Sequence, residues 1–275
     1  MTPWKIYEMD LALPTYLYHY TSVDTLALIL KYRTIRFTRL SLLNDPLEGK
    51  AKDFEGGEEL IYCSSWSANP ADTIPMWKMY TNLEGVRIRL KLDNVFSDSC
   101  SMQFKNYGSK LSPVTELCCP IQMKHAIDSS RVGYIKEVFG PEEVEYLNSE
   151  EYDKLKFTQR VKSIEHDRVV ENDCIQLDGA GLHKPICWSH EQEWRFRVIG
   201  LPSVTPINMS LNDYVAYAKY AEDSVDIPMS SKCFDELEIL LGPLCSEGHE
   251  YLVESLCDRA GIDVSITKSG IRISK

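Results

Sequence analysis

The sequence predicts one α+β domain, and three observations lead there. Strands and helices mix without regular βαβ alternation. No fixed-period repeat, low-complexity tract or Gly/Ser linker marks an internal boundary, so residues 1–275 read as one unit. The 275 residues also suffice for a substantial core, at about 100–200 residues per domain. A composition of 44% hydrophobic and 26% charged residues excludes disorder and fibrous repeats.

Leu17 to Thr21 is short, aromatic and strand-like, with Leu17, His19 and Thr21 on one face and two tyrosines on the other. Thr21-Ser22 is an N-cap candidate, and Val23, Leu26, Ile29 and Leu30 follow at helical spacing. Thr34 to Thr38 alternates as a half-buried strand, and Asn44-Asp45-Pro46 makes a turn. Leu60 to Trp66 and Gly85 to Leu92 form a second strand cluster. Pro141 opens an acidic, helix-favouring stretch running to Val170, so a helical insertion is expected at about 125–175. Strand returns at Trp194 to Val198, a helix is expected from Ser210 to Tyr220, and Leu237 to Leu241 is an apolar strand. Ser246 caps a helix to Ala260 that Gly261 stops, and Ile262 to Ile273 reads as a hairpin.

The 30 Lys+Arg and 41 Asp+Glu give a net charge of −11, which argues against charge-driven binding of nucleic acid. A local basic patch at Lys31, Arg33, Arg36 and Arg39 still permits a pocket for a dinucleotide. No run approaches the ~18 apolar residues that span a bilayer, and no basic-then-apolar leader is visible. A cytoplasmic protein with no membrane partner is the expectation. Nine cysteines, odd in number and never spaced C-x-x-C, read as reduced thiols, with Cys118-Cys119 a packing pair.

Three polar strand segments carry candidate chemistry. His19 between tyrosines suits a structural histidine bonded to a backbone carbonyl, which the segment itself favours. It also suits a ligand for a ribose hydroxyl or a nicotinamide edge. In Cys63-Ser64-Ser65-Trp66-Ser67 the hydroxyls of Ser65 and Ser67 share a face. No G-x-S-x-G elbow surrounds them, so a serine hydrolase is poorly supported. Trp77 and Tyr80 offer ring faces nearby. In Glu191-Gln192-Glu193-Trp194-Arg195-Phe196-Arg197, Trp194, Phe196 and Val198 would face the core. Glu191, Glu193, Arg195 and Arg197 would share a polar face. Two carboxylates so placed repel, raise one pKa and suit general-base work, metal binding or stabilisation of a cation. The competing reading is a solvated edge strand whose arginines neutralise its glutamates. His183, Cys187 and His190 have zinc-like spacing but only three ligands. Phosphate-loop and H-E-x-x-H motifs are absent.

Tyr18-His19-Tyr20-Thr21-Ser22, Arg36-Phe37-Thr38, Asn44-Asp45-Pro46-Leu47-Glu48, Met76-Trp77, Tyr80, Gly85-Val86, Lys184-Pro185, Trp188 and Glu191 to Arg195 together resemble the bacterial domain of unknown function 2971, closely over residues 17–200 and loosely over the last 75. The order of a strand histidine, a serine strand and Glu-x-Glu more distantly resembles the ADP-ribosyltransferase superfamily. His19, Ser65-Trp66-Ser67 and Glu191-Gln192-Glu193 match its three positions. The chain departs in having His where Arg accompanies such motifs, and Trp66 where Thr is usual.

The resemblance implies a split antiparallel β core and an NAD-using transferase, a toxin or phage-defence effector. The acceptor would be a protein or nucleic acid, and a neutralising partner protein would accompany it. It assigns Glu193 to stabilising the ribosyl cation, Ser65 to orienting Glu193, and Glu191 to acting as base toward the acceptor. NAD would be held by His19 with Tyr20 and Thr21, by Arg36, and by stacking on Trp77 or Tyr80. Two alternatives stay open. One is a metal-dependent nuclease using Asp45, Glu48, Glu191 and Glu193. The other is a ligand-sensing or protein-binding module in which Glu193 and Arg195 form a structural ion pair.

Overall fold

The computed structural model describes residues 13–53, 55–92, 95–96, 102–103, 116–117, 132–134, 138–165, 168–175, 179–202 and 222–273. The helix expected from Ser210 to Tyr220 and the Cys118-Cys119 pair lie outside these residues.

The first third of the chain follows its local signals. Strand β1 (Tyr16–Thr21) leads to helix α1 (Val23–Tyr32), whose Ser22 cap accepts from the Thr25 amide, one of the donors a helix start leaves unpaired. Strands β2 (Thr34–Arg39), β3 (Ile61–Ser67) and β4 (Val86–Lys91) come next, with helix α2 (Ile74–Thr81) between the last two. The turn at Asn44-Asp45-Pro46 is closed by Asp45 Oδ1, which accepts from the Leu47 amide at 3.1 Å.

The expected helical insertion differs. Strands β5 (Met102–Gln103), β6 (Glu116–Leu117), β7 (Val132–Tyr134), β8 (Val138–Glu143) and β9 (Glu145–Leu147) precede a single helical turn, α3 (Ser149–Tyr152). Beyond it, β10 (Thr158–Glu165) and β11 (Arg168–Ile175) form a hairpin. Tertiary pairing overrides the helix propensity of the glutamates. Glu142 is held in β8 by Arg197 of the neighbouring strand, at 2.5 Å. The hairpin carries β-branched residues such as Val161, Ile164, Val169 and Val170.

Strand β12 (His183–Pro185) and a 3₁₀ segment (Ile186–Glu191) lead into β13 (Glu193–Pro202). Strands β14 (Ser224–Pro228) and β15 (Glu238–Leu241), helix α4 (Glu247–Ala260) and β16 (Ser265–Lys268) complete the chain. The terminal hairpin is replaced by a parallel β15–β16 pair. A parallel pair needs a crossover of a dozen or more residues, which the 14-residue α4 supplies.

Among the described residues, twelve strands form one mixed, mostly antiparallel sheet with the path β16-β15-β4-β1-β3-β13-β8-β6-β5. Strand β2 joins β3, β14 joins β2, and β7 joins β13. Leu17, Trp66, Ile88, Phe196, Val198 and Ile239 meet Leu26, Ile29, Val253 and Cys257 of α1 and α4 in the main core. The chain is therefore α+β, and two half-sheets join at its centre, where β1 and β3 bridge at the single pair Tyr18–Ser67.

Candidate active site

Past the Tyr18–Ser67 bridge the two strands part, and His19 occupies the parting. Its Nδ1 lies 2.9 Å from the Ser65 carbonyl oxygen, and its ring centroid 5.0 Å from that of Trp66. A carbonyl only accepts, so Nδ1 carries the proton and Nε2 of the neutral ring is an acceptor. Burial lowers the His19 pKa, against a smaller opposing pull from the carbonyl, and keeps the ring neutral. The structural reading of this histidine is thus realised at a position that also borders a cavity.

That cavity, of about 70 Å³, is lined by Tyr18, His19 and Tyr20 of β1 and by Ser65, Trp66 and Ser67 of β3. Met76 and Tyr80 of α2 and the carboxylates Glu191 and Glu193 complete it. Register explains the arrangement: Glu193 lies opposite Ser67, and Arg195 opposite Ser65, across the β3–β13 ladder.

The predicted shared face of Glu191 and Glu193 needs correction. Glu191 ends the 3₁₀ segment, and Gln192, at φ 45°, turns the chain into β13. Nor is β13 a solvated edge. It lies between β3 and β8, and Glu193, Arg195 and Arg197 are all buried. Both faces of this strand are interior, one apolar and one ionic.

The ionic face is a closed network. Lys184 Nζ stands 3.2 Å from Glu48 Oε1, 2.7 Å from Glu191 Oε2 and 2.9 Å from Glu193 Oε2. Arg195, fully buried, donates from Nε to Glu193 Oε1 at 2.7 Å and from Nη2 to Oε2 at 3.0 Å. Its Nη1 reaches Glu48 Oε2 and the Gly181 carbonyl, both at 2.7 Å. The Tyr80 hydroxyl donates to Glu191 Oε1, and Ser67 Oγ donates to the Glu191 carbonyl at 2.6 Å. The Tyr146 hydroxyl accepts from the Glu193 amide at 2.8 Å. Buried charges persist only when compensated. Lys184, Arg195, Glu191 and Glu193 are paired and hydrogen-bonded. Glu48 is held by its ion pairs to Lys184 and Arg195, and its two oxygens accept no hydrogen bond among the described residues.

The environments push the two carboxyls apart. Burial raises the Glu193 pKa, but Arg195 and Lys184, with the Ser65 hydroxyl, reverse this and bring it down to about 2. At Glu191 burial, reinforced by Glu193, outweighs Lys184 and Tyr80, and the pKa rises. Paired carboxyls split in this way suit separate charge-stabilising and proton-transfer roles. Cys63, pushed up to about 12 by burial, remains a thiol.

His19, Tyr20, Ser65, Tyr80, Glu191 and Glu193 therefore meet at one cavity, and three predicted ligand residues do not line it. Arg36 is exposed on β2 and paired with Asp226 at 2.9 Å. Trp77 is buried edge-on against Tyr20, with Nε1 donating to Asp72 at 2.9 Å. Thr21 is buried at the end of β1. Of the rest of the basic patch, Arg39 pairs with Glu59 and Asp223, Arg33 donates to the Ala260 carbonyl, and Lys31 is exposed over the Tyr32 ring. Of the four carboxylates named by the nuclease alternative, Glu48, Glu191 and Glu193 surround Lys184 Nζ. Among the described residues no group of three or more His, Cys, Asp or Glu side chains is arranged to hold a metal. Sequence reading assigned no role to Lys184 or Met76. Nothing local signals that Lys184 folds back onto a carboxylate seven positions ahead.

Among the described residues, no helix is long and apolar enough to cross a membrane. No curated protein and no solved structure matches the chain. Residues 76–196, a narrower span than the expected 17–200 but one that includes Tyr80, Lys184 and Glu191 to Arg195, match the model of a family described as proteins of unknown function, DUF2971.

Proposed function

We propose that the cavity at the β1–β3 parting cleaves the nicotinamide–ribose bond of NAD and transfers ADP-ribose to a macromolecular acceptor. The observation that carries this reading is the meeting of His19, Ser65, Glu191 and Glu193 at one cavity. Breaking the C1′–N bond leaves its electron pair on the nicotinamide nitrogen and positive charge on the ribose. Glu193, ionised and immobilised by Arg195 and Lys184, supplies fixed negative charge to that developing cation. Because the charge is preorganised, it favours the transition state over the ground state. All of the roughly four acceptor directions of its carboxylate are occupied, two by Arg195, one by Lys184 and one by the Ser65 hydroxyl. Its part is therefore electrostatic rather than that of a mobile base. Glu191, whose raised pKa suits proton exchange, takes the proton from the attacking acceptor nucleophile or water. Tyr80 positions Glu191, and His19 Nε2 accepts from the carboxamide or a ribose hydroxyl.

The test is nicotinamide release from NAD by wild type and by Glu193→Gln, each shown to be folded. Release by wild type and its loss in the variant are expected. Folded wild-type protein that neither binds NAD nor releases nicotinamide overturns the reading. A second reading, a non-catalytic NAD-binding module, is favoured by the full pairing of Glu193 with Arg195 and Lys184. Binding of NAD without nicotinamide release selects it.

A further inference from the structure

We propose that Arg87 forms an anion subsite beside the cavity that takes a phosphate group of the bound ligand. The inference rests on the nicotinamide dinucleotide reading and names what holds the part of that ligand outside the cavity. About 70 Å³ is small beside the roughly 300–1,000 Å³ of ordinary ligand pockets, so a dinucleotide places its diphosphate outside.

Arg87 lies on β4 opposite Tyr20, with its guanidinium carbon 4.7 Å from the ring centroid of Tyr18 and 5.9 Å from that of Tyr20. Both tyrosines line the cavity. Stacking on aromatic faces fixes a guanidinium plane while leaving its edge donors available, and phosphate matches the fork of donors bidentately. Arg36, Arg39, Arg89, Arg195 and Arg197 each hold a carboxylate. Arg87 instead donates from Nη1 to the Pro70 carbonyl at 2.9 Å and hydrogen-bonds the Tyr20 hydroxyl, and the rest of its five donors remain. Its acidic neighbour Asp72 interacts with it through charge, while Asp72 Oδ2 accepts from Trp77 Nε1 at 2.9 Å and Ser269 Oγ at 2.5 Å. A half-buried guanidinium held on the faces of two cavity-lining tyrosines, with donors to spare, is a site for an anion.

The test is calorimetric titration of wild type, Arg87→Gln and Arg87→Lys with NAD, nicotinamide riboside and inorganic pyrophosphate, with thermal midpoints confirming that each is folded. Wild type should bind NAD about tenfold or more tighter than the riboside, the worth of a charge-assisted hydrogen bond. Arg87→Gln should bind the two alike, with riboside affinity unchanged, and Arg87→Lys should fall between, keeping charge but losing the fork. Pyrophosphate should bind wild type and not Arg87→Gln. A preference for NAD that survives in Arg87→Gln overturns the subsite, and so does pyrophosphate binding that is absent or independent of Arg87. If neither nicotinamide compound binds while pyrophosphate binding still requires Arg87, the subsite stands and the nicotinamide reading falls.

Discussion

Lys184 Nζ lies 2.7 Å from Glu191 Oε2, yet the Glu191 carboxyl titrates above the ordinary carboxylate range. The same ammonium lies 2.9 Å from Glu193 Oε2, where the carboxyl titrates at about 2. The difference is Arg195, which grips both oxygens of Glu193 and is absent from Glu191. One lysine thus serves two carboxylates that the surrounding fold drives in opposite directions.

Lys184→Met removes the cation shared by Glu48, Glu191 and Glu193 and leaves buried negative charge uncompensated. A loss of about 3–5 kcal/mol is expected at pH 7. The loss should shrink at pH 4, where the carboxyls can take protons in place of the ammonium. Urea unfolding of variant and wild type at the two pH values measures this. An equal loss at both would show that the carboxylates do not depend on Lys184.

Acid titration should report Glu193. An unfolded glutamate titrates near 4.3, whereas this one titrates at about 2 in the fold. Its contribution is present above the unfolded value and is lost as pH falls from there through about 2. The size is on the order of 3 kcal/mol. Glu193→Gln should start from a lower baseline, with Arg195 short of its partner, and lack this acid-dependent loss. A wild-type-minus-variant stability curve that stays flat from pH 5 to pH 2 would falsify the assignment.

Where chemistry is local, the sequence was readable. Ser22 and Ser246 announce their helices, Gly261 ends one, and period-2 alternation marks β2 and β4. The motif order that grouped His19, Ser65 and Glu193 names residues that do line one cavity. What stayed hidden is long-range. The glutamates after Pro141 have helix propensity, but pairing with β13 sets β8, and Arg197 fixes Glu142 there. The alternation of charge in β13 is the same for a solvated edge and for a buried ionic layer. Only the ladders to β3 and β8 decide between them, and those ladders join segments separated by tens of residues. Arg36 and Arg87 illustrate the same limit. Both sit on alternating strands, and only the fold places a carboxylate beside one and tyrosine rings beside the other.

Tyr80→Phe tests the proton-transfer role proposed for Glu191. The Tyr80 hydroxyl donates to Glu191 Oε1 and is one of the groups holding that carboxyl down. Without it the Glu191 pKa rises further, so the acid limb of the transfer rate should move to higher pH. Below that limb the rate should fall by about tenfold, the scale of a hydrogen bond to a charged group. Above it, wild type and variant should converge. A pH–rate profile with an unmoved acid limb removes Glu191 as the base.

Gly140→Ala probes the strand behind the ionic layer. Gly140 has φ 103°, and a Cβ there would lie 2.4 Å from the Arg195 carbonyl oxygen. The β8–β13 ladder is irregular between Arg195 and Arg197, so this close approach is where β8 is fitted against the strand that carries Glu193. Backbone strain and overpacking together should cost about 2–4 kcal/mol. Gly270→Ala is the control, because nothing lies within 4 Å of its Cβ position, and its change should stay within about 0.5 kcal/mol. Thermal unfolding of the two variants measures both. Since the Arg195 backbone must shift to admit the methyl group, the Gly140 variant should also lose nicotinamide release, whereas the Gly270 variant keeps it. A Gly140 variant of wild-type stability would mean that β8 does not press on Arg195.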